Sequence, residues 1–277
     1  MPAEDPLARL RILLLQIRDE PEVERQEQDC FIHFSGFASE QFAFRNLVDR
    51  PDVAPRDVRG FDAVVIGGAG AHSVTEEYPF TAPLAAVVEK VVAARQPLFG
   101  SCWGHQFIAK ALGGTVVTDL ARKELGTYEI ELSPAGEADP WLAGLPRRFG
   151  VQLGHHDRVV RLPPGAIELA ASALCPNQAF RLAEAPVYGA QFHVELDRER
   201  MLDRASVYRE EYLADHGAME SLEQALHPSP ESATLLRRFL TRVVAVGGVG
   251  GAGGAGAVGA AVRPGSVGRS GPSRPPG

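Results

Sequence analysis

The sequence has few cysteines and no concentration of positive charge. Its three cysteines, Cys30, Cys102 and Cys175, are far apart in a chain of 277 residues, and no CxxC pair is present. This usage predicts neither a disulfide framework nor a zinc site, and it favours a protein of the reducing cytoplasm. The net charge of −7 comes without a basic cluster, which argues against nucleic acid as a partner.

Signals for export or for membrane insertion are also lacking. The N-terminal apolar run is too short for a signal peptide and is better explained as a strand. The longest uncharged segment, 243–262, has eight glycines among its twenty residues, and the others are only alanine and valine. Such a segment inserts weakly into a bilayer, so no membrane contact is expected.

Composition divides the chain into a globular part and a tail. Residues 1–245 are enough for one large α/β domain, so the sequence does not require a second one. Residues 246–277 are rich in glycine, alanine and proline and bury too little apolar surface to offset their ordering entropy. We therefore predict that this tail is disordered.

Short aliphatic runs alternate with amphipathic stretches in the first half of the chain. Residues 11–17 and 62–66 are typical of strands buried on both faces, and residues 41–48 alternate as a strand nearer an edge does. This alternation predicts βαβ crossovers and a parallel sheet, with functional groups at the carboxyl ends of its strands. Short strands predominate after residue 114, so antiparallel additions are expected in the second half.

Helical periodicity marks several segments that should cover this sheet. In the first of them, Glu22, Glu24 and Glu27 are expected to face solvent while Val23 and Phe31 turn inward. Residues 215–230 show no clear periodicity and are expected to be irregular. The predicted helices cover residues 18–34, 83–94, 103–112, 198–213 and 232–244.

One cysteine occupies the turn between a strand and a helix, in the stretch PLFGSCWGHQFIAKALGG at residues 97–114. The free N–H groups and positive end of the helix after Cys102 favour a thiolate, the nucleophilic form of the side chain. Gly100 and Gly104 leave room for a crowded backbone and for a substrate. The alternative is a buried structural cysteine, which is how most free cysteines are used; Cys30 and Cys175 are interpreted in that way.

This turn, with the sequence Cys102-Trp103-Gly104-His105-Gln106, resembles the nucleophile turn of class I glutamine amidotransferases. The histidine before Gln106 makes it similar to stand-alone members that resemble the glutaminase domain of GMP synthase. The family also requires a His-x-Glu pair, and His193-Val194-Glu195 supplies one after an aliphatic strand. The resemblance implies a three-layer, flavodoxin-like α/β fold with a mostly parallel central sheet. It also implies a triad in which Cys102 attacks, His193 transfers protons and Glu195 orients His193.

Two further segments correspond to substrate-contacting parts of the family. The glycine-rich loop after residue 66 is expected to supply an oxyanion donor at Gly68, together with the N–H of Trp103. Gln106 and His155, the latter in a segment resembling the family's Ser-His-Gly-Asp-Lys-Val, are expected to help bind glutamine. His155 and His156 point to opposite sides of a strand, so no metal is predicted, and no cofactor is expected.

The predicted activity is hydrolysis of the γ-carboxamide of glutamine through a γ-glutamyl thioester, with release of ammonia. A γ-glutamyl peptidase or hydrolase that acts on a peptide such as glutathione would use the same triad. An inactive regulatory or binding module that retains the fold is the third possibility. The sequence shows no ATP-dependent synthetase region, so we expect ammonia to pass to a separate synthetase subunit or to be released by a stand-alone hydrolase.

Overall fold

The computed structural model describes residues 6–208 and 218–245 of the chain. Its centre is a nine-stranded sheet with the strand order β2-β1-β3-β4-β11-β10-β9-β6-β7, and β5 and β8 form a separate two-stranded sheet. The strands are β1 (Ile12–Ile17), β2 (Phe42–Asn46), β3 (Ala63–Ala69), β4 (Leu98–Ser101), β5 (Thr115–Thr118), β6 (Glu124–Leu132), β7 (Arg148–His155), β8 (Asp157–Arg161), β9 (Ala166–Ser172), β10 (Ala179–Leu182) and β11 (Val187–Ala190).

Five neighbouring strands of the large sheet are parallel, and four are antiparallel. Strands β2, β1, β3, β4 and β11 run in one direction. Strands β10, β9, β6 and β7 then continue the sheet as successive antiparallel neighbours. The prediction of a mostly parallel sheet with antiparallel additions in the second half is confirmed. The strand predicted nearest an edge is the edge strand β2.

Helices pack around the large sheet and cover both faces of its parallel half. They are α1 (Pro21–Ser35), α2 (Thr81–Ala93), α3 (Trp103–Ala111), α4 (Pro134–Ala138), α5 (Arg198–Val207), α6 (Ala218–Ala225) and α7 (Leu235–Phe239). The last is followed directly by a π-helix at Leu240–Val244, and short 3₁₀ helices lie at Pro6–Arg9, Ser39–Gln41, Leu120–Arg122 and Ser232–Thr234.

Successive residues of β1 point to opposite faces of the sheet, which shows how the three layers pack. Ile12 and Leu14 join a cluster that includes Phe31 of α1 and Phe239 of α7. Leu13, Leu15 and Ile17 join a second cluster, with residues of α2 and α3, on the opposite face. A strand that is apolar at nearly every position is therefore buried on both sides, as the sequence predicts. The three-layer, flavodoxin-like α/β fold is confirmed.

Two local predictions are wrong. The helical pattern places Glu27 toward solvent, but its side chain is fully buried because it pairs with the buried Arg18. Residues 218–225 lie in a segment expected to be irregular, yet they form α6, whose Leu222 packs into a small apolar cluster with Met201. The predicted tail, 246–277, lies outside the described residues. None of the helices in the described part of the chain combines the length and apolar character needed to cross a bilayer.

Candidate active site

Cys102 lies at the sharp turn between β4 and α3. Its backbone has φ +50° and ψ −101°, a conformation that a residue with a side chain adopts only under strain. Its N–H donates to the carbonyl of Ala190 at 2.8 Å, which fixes the turn against β11. A Cβ on Gly100 would collide with the backbone of Gly104, and one on Gly104 would collide with the carbonyl of Ile66. Both glycines are therefore required for α3 to start this close to the sheet.

His193 and Glu195 follow β11, the strand next to β4. The Nδ1–H of His193 donates to Oε1 of Glu195 at 2.7 Å, because a carboxylate can only accept. The other carboxylate oxygen accepts from Oγ of Ser101, also at 2.7 Å. The Cys102 side chain is close enough to the His193 ring to raise its pKa, and a Cβ on Gly68 would stand near both residues. The three residues predicted as the triad thus lie together, with Glu195 bonded to His193 and Cys102 beside the ring.

The charges next to His193 raise the pKa of its ring. Burial alone lowers the pKa of His193, but the Glu195 carboxylate and the Cys102 side chain outweigh it and raise the pKa to about 9. Burial favours the neutral form of Glu195, yet His193, Arg204 and Ser101 together lower its pKa well below the usual range. At neutral pH the site therefore holds an imidazolium next to a carboxylate.

A relay of two amides reaches the sulfur of Cys102 from the other side. Gln106 Nε2 donates to the carbonyl of Asp157 at 2.7 Å and to Oε1 of Gln191 at 3.1 Å. This leaves Nε2 of Gln191 facing Cys102 Sγ, to which it donates at 3.8 Å. Both of these hydrogen bonds use the side-chain amide of Gln106, so Gln106 acts on Cys102 through Gln191. No sequence pattern indicates a role for Gln191.

Asp157 holds the loop beside the cavity next to Cys102. Its carboxylate accepts from Oγ of Ser73 at 2.6 Å, from the N–H of Val74 at 3.1 Å and from Oγ1 of Thr118 at 2.6 Å. The loop after β3 is therefore tied to β5 and β8. The cavity beneath it has a volume of about 440 Å³ and is lined by Cys102, Gln106, His155 and Asp157, among others.

Gly68 and Trp103 lie next to the residues predicted as the triad. A Cβ on Gly68 would stand 3.2 Å from Cε1 of His193 and 3.8 Å from Cβ of Cys102, so the backbone here approaches both residues closely. Trp103 is the first residue of α3, and the first N–H groups of a helix have no partner within it. Both backbone segments are thus near the sulfur, at the place where the sequence predicts an oxyanion hole.

The side chain of His155 is engaged away from the cavity. Nδ1 contacts the carbonyl of Asp157 and Nε2 contacts Oε2 of Glu124, each at 2.9 Å, and both of these partners accept hydrogen bonds. Both ring nitrogens are therefore occupied. A ligand in the cavity could contact only the backbone of this strand or the carbon edge of the His155 ring.

Glu124, His155 and Cys175 are the one group of possible metal ligands among the described residues. Their donor atoms lie within 4.8 Å of one another. Glu124 already accepts from Oγ of Ser172 at 2.7 Å and from Nε2 of Gln178 at 2.5 Å. Burial raises the pKa of Cys175 to about 12, so its thiol keeps the proton that a metal would have to displace. The group is fully hydrogen-bonded as it stands and fits a structural role better than a metal.

A family model for glutamine amidotransferase class-I matches residues 46–204. The chain is 42% identical over 100 residues to a subunit of the glutamine-hydrolyzing GMP synthase of Pyrococcus abyssi, which covers 36% of this chain and 51% of that protein. The corresponding protein of Thermococcus kodakarensis is 39% identical over 117 residues, which covers 42% of this chain and 60% of that protein. The matches thus span 51% and 60% of these relatives' length.

Solved structures with the same fold cover most of the chain. A glutamine amidotransferase from Thermotoga maritima has a TM-score of 0.65 at 24% identity and covers 85% of this chain and 98% of its own. A glutamine amido transferase from Methylobacillus flagellatus has a TM-score of 0.63 at 21% identity, with 84% and 95% coverage. At these identities the likeness concerns the fold.

Proposed function

Because this chain belongs to the class I glutamine amidotransferase family, we propose that it hydrolyses glutamine to glutamate and ammonia with Cys102 as the nucleophile. The observation that carries the proposal is the hydrogen-bonded pair of His193 and Glu195 beside Cys102, at the carboxyl ends of adjacent parallel strands. The raised pKa of His193, about 9, supports it further, since the imidazolium can supply the proton with which the nitrogen leaves as ammonia.

In the first half of the reaction, the Cys102 thiolate attacks the γ-carbonyl carbon of glutamine. The negative charge that develops on the carbonyl oxygen is stabilised by backbone N–H groups at Gly68 and Trp103. As the tetrahedral intermediate collapses, the C–N bond breaks and His193 gives its proton to the leaving nitrogen, which departs as ammonia. Cys102 is left as the γ-glutamyl thioester, and His193 is left neutral.

In the second half, water replaces ammonia beside His193. The neutral imidazole takes a proton from the water, whose oxygen attacks the thioester carbon at the same oxyanion site. The C–S bond then breaks, which releases glutamate and restores the thiolate–imidazolium pair. Glu195 stays ionised throughout and holds the imidazole in the tautomer with the proton on Nδ1.

The cavity beside Cys102 is the proposed site for the glutamine side chain and its charged end. Gln106 acts from the cavity wall through its relay to Gln191 and Cys102. His155 contributes its strand backbone, because its ring nitrogens are already engaged. The tether between Asp157 and Ser73 keeps the loop after β3 in place over the bound substrate.

The ammonia acceptor is proposed by analogy with the relatives. Two of them are separate subunits of glutamine-hydrolyzing GMP synthases, so we propose that a synthetase carried on another chain is the partner of this one. We also propose that the protein works in the reducing cytoplasm, because the nucleophilic thiol of Cys102 must stay reduced to react. The domain is proposed to end near residue 245, where Val244 is still buried.

Glutamate release from the purified full-length chain tests the proposal. We expect glutamine to be hydrolysed, Cys102→Ala to abolish the activity, and a candidate synthetase to stimulate it if it is the partner. γ-Glutamyl peptides assayed in parallel identify the peptidase alternative by their faster turnover. No turnover of glutamine, alone or with candidate synthetases, would contradict the proposal and favour a binding module.

A further inference from the structure

Glu195 has a second buried partner besides His193. Nη1 of Arg204, in helix α5, donates to the same carboxylate oxygen, Oε1, at 3.1 Å. The Arg204 side chain is 6% exposed and the Glu195 side chain is 0% exposed, so water screens this pair very little. Nε of Arg204 donates to Oε1 of Gln26 at 2.9 Å, which holds the guanidinium against helix α1.

The buried charges continue from Arg204 toward strand β1. Nη1 of Arg204 lies 4.0 Å from Oε1 of Glu27, and that oxygen accepts from Nη2 of Arg18 at 2.5 Å. The second carboxylate oxygen of Glu27 accepts from Nε2 of Gln16 at 2.9 Å. Negative and positive groups therefore alternate in the order Glu195, Arg204, Glu27, Arg18. Such a row is stable only while each member keeps its partner.

The far end of this row lies under the glycines of the proposed oxyanion site. A Cβ on Gly67 would stand 2.8 Å from Oε1 of Glu27, and one on Gly68 would stand 3.1 Å from Nη2 of Arg18. The backbone at the end of β3 thus rests directly on the Arg18–Glu27 pair. One continuous row of charges connects the carboxylate of the triad with the floor of the loop that would stabilise the oxyanion.

We propose that Arg204 is a positioning residue of the triad: it holds the Glu195 carboxylate toward His193 and joins it to the Glu27–Arg18 pair beneath the loop. The inference rests on the proposed function, since it assigns Arg204 a part in the same site. Arg204 acts through Glu195 and does not contact the substrate. We expect its charge to oppose protonation of the His193 ring, since a nearby cation disfavours a second positive charge.

Charged and titratable groups surround His193 from every element packed around it. Cys102 faces it from the turn before α3, and Glu195 follows it in the same segment. Arg204 and Tyr208 from the end of α5, and Arg18 from the end of β1, line a small cavity together with His193. Behind them lie Glu27 and Cys30 of α1. Among these groups, Arg204 is the cation that shares a carboxylate oxygen with His193.

NMR titration of the His193 ring in the full-length chain tests the proposal without any substrate. The resonance is identified by its loss in His193→Gln. We expect Arg204→Met to move the titration midpoint upward by roughly one pH unit, because a nearby cation is lost. Glu195→Gln should move it downward. Arg204→Lys keeps a cation at this position and should leave the midpoint near that of the unaltered chain.

Arg200→Met is the matched control, one turn earlier on α5, where the side chain pairs at 2.6 Å with Asp197, the residue just before the helix. It should leave the midpoint unchanged. A midpoint that does not rise in Arg204→Met, or that rises equally in Arg200→Met, would mean that Arg204 only holds the helix in place. If Arg204→Met does not fold, Arg204→Gln, which lacks the charge but can still donate to Glu195, carries the same expected rise.

Kinetics on glutamine give a second readout. We expect Arg204→Met to lower kcat about tenfold in the unaltered chain and less than about twofold in a Glu195→Ala background, because the residue acts through Glu195. Equal losses in both backgrounds would contradict this coupling. Absence of any glutamine hydrolysis in the unaltered chain would refute the proposed function alone, since the NMR titration would still report on Arg204.

Discussion

Replacing Glu195 by glutamine should separate the charge of this residue from its shape. The glutamine side chain can still accept the hydrogen bond from Nδ1 of His193, but it carries no negative charge. The carboxylate is the main influence that raises the pKa of His193 from the ordinary 6.5 to about 9 against the effect of burial. In Glu195→Gln the ring stays buried but loses the nearby negative charge, so the pKa of His193 should fall to 6.5 or below.

The size of the effect follows from this change. A fall of about 2.5 pH units, from about 9 to 6.5, corresponds to about 3 kcal/mol in the stability of the imidazolium. At about pH 7.5 nearly all unaltered molecules carry the imidazolium, whereas only about one in ten molecules of the variant would do so. Protonation alone should thus cost about tenfold in rate, and the poorer orientation of the ring should bring the loss to about 10²–10³-fold.

The assay is the rate of glutamate release between about pH 5.5 and 10, together with thermal melting of both proteins. The unaltered chain should lose activity as the pH rises through about 9, where the imidazolium loses its proton. The alkaline limb of Glu195→Gln should begin near neutral pH. An alkaline limb that stays near pH 9 in the variant, with a rate within about threefold, would refute the reasoning that this carboxylate sets the charge of His193.

Three further changes test other parts of the site. Gly68→Ala places a methyl group 3.2 Å from Cε1 of His193 and should lower kcat about tenfold or more with little change in melting temperature, whereas Gly150→Ala in β7 should leave kcat unchanged. Gln191→Leu removes the N–H that faces Sγ of Cys102 and should slow alkylation of that thiol at neutral pH; an unchanged rate would show that the contact is not used. Truncation after Gly247 should leave the melting temperature and the glutaminase rate unchanged, and a lower melting temperature would show that the tail packs on the domain.

Local patterns are enough to predict most of the fold and the residues brought together at the site. The aliphatic runs predict strands because a strand buried on both faces tolerates few polar residues, and β1 and β3 bear this out. The turn at Cys102 and the His-x-Glu pair can each be predicted from a few neighbouring residues. Their joint position at the end of β4 and β11 follows from the parallel sheet.

The buried charges could not be predicted, because each depends on a partner far along the chain. Glu27 lies on a helix whose pattern places it toward solvent, and only the fold brings it beside Arg18. In the sequence, Arg204 is an ordinary polar residue of a predicted surface helix. Its contact with Glu195 depends on where α5 packs in the fold. Helix α6 is not predicted because its segment shows no clear periodicity, whereas in the fold Leu222 packs into an apolar cluster with Met201.

Labelling with a diazo-ketone analogue of glutamine tests the central claim most directly. The Cys102 sulfur should displace dinitrogen from the analogue, and mass spectrometry should find one label per chain, at Cys102, with protection by glutamine. Cys30 and Cys175 should stay unmodified, since burial raises the pKa of each thiol to about 12 and keeps it protonated. Stoichiometric labelling at either of these two residues, or labelling of Cys102 that glutamine does not slow, would contradict a glutamine-hydrolysing site at Cys102.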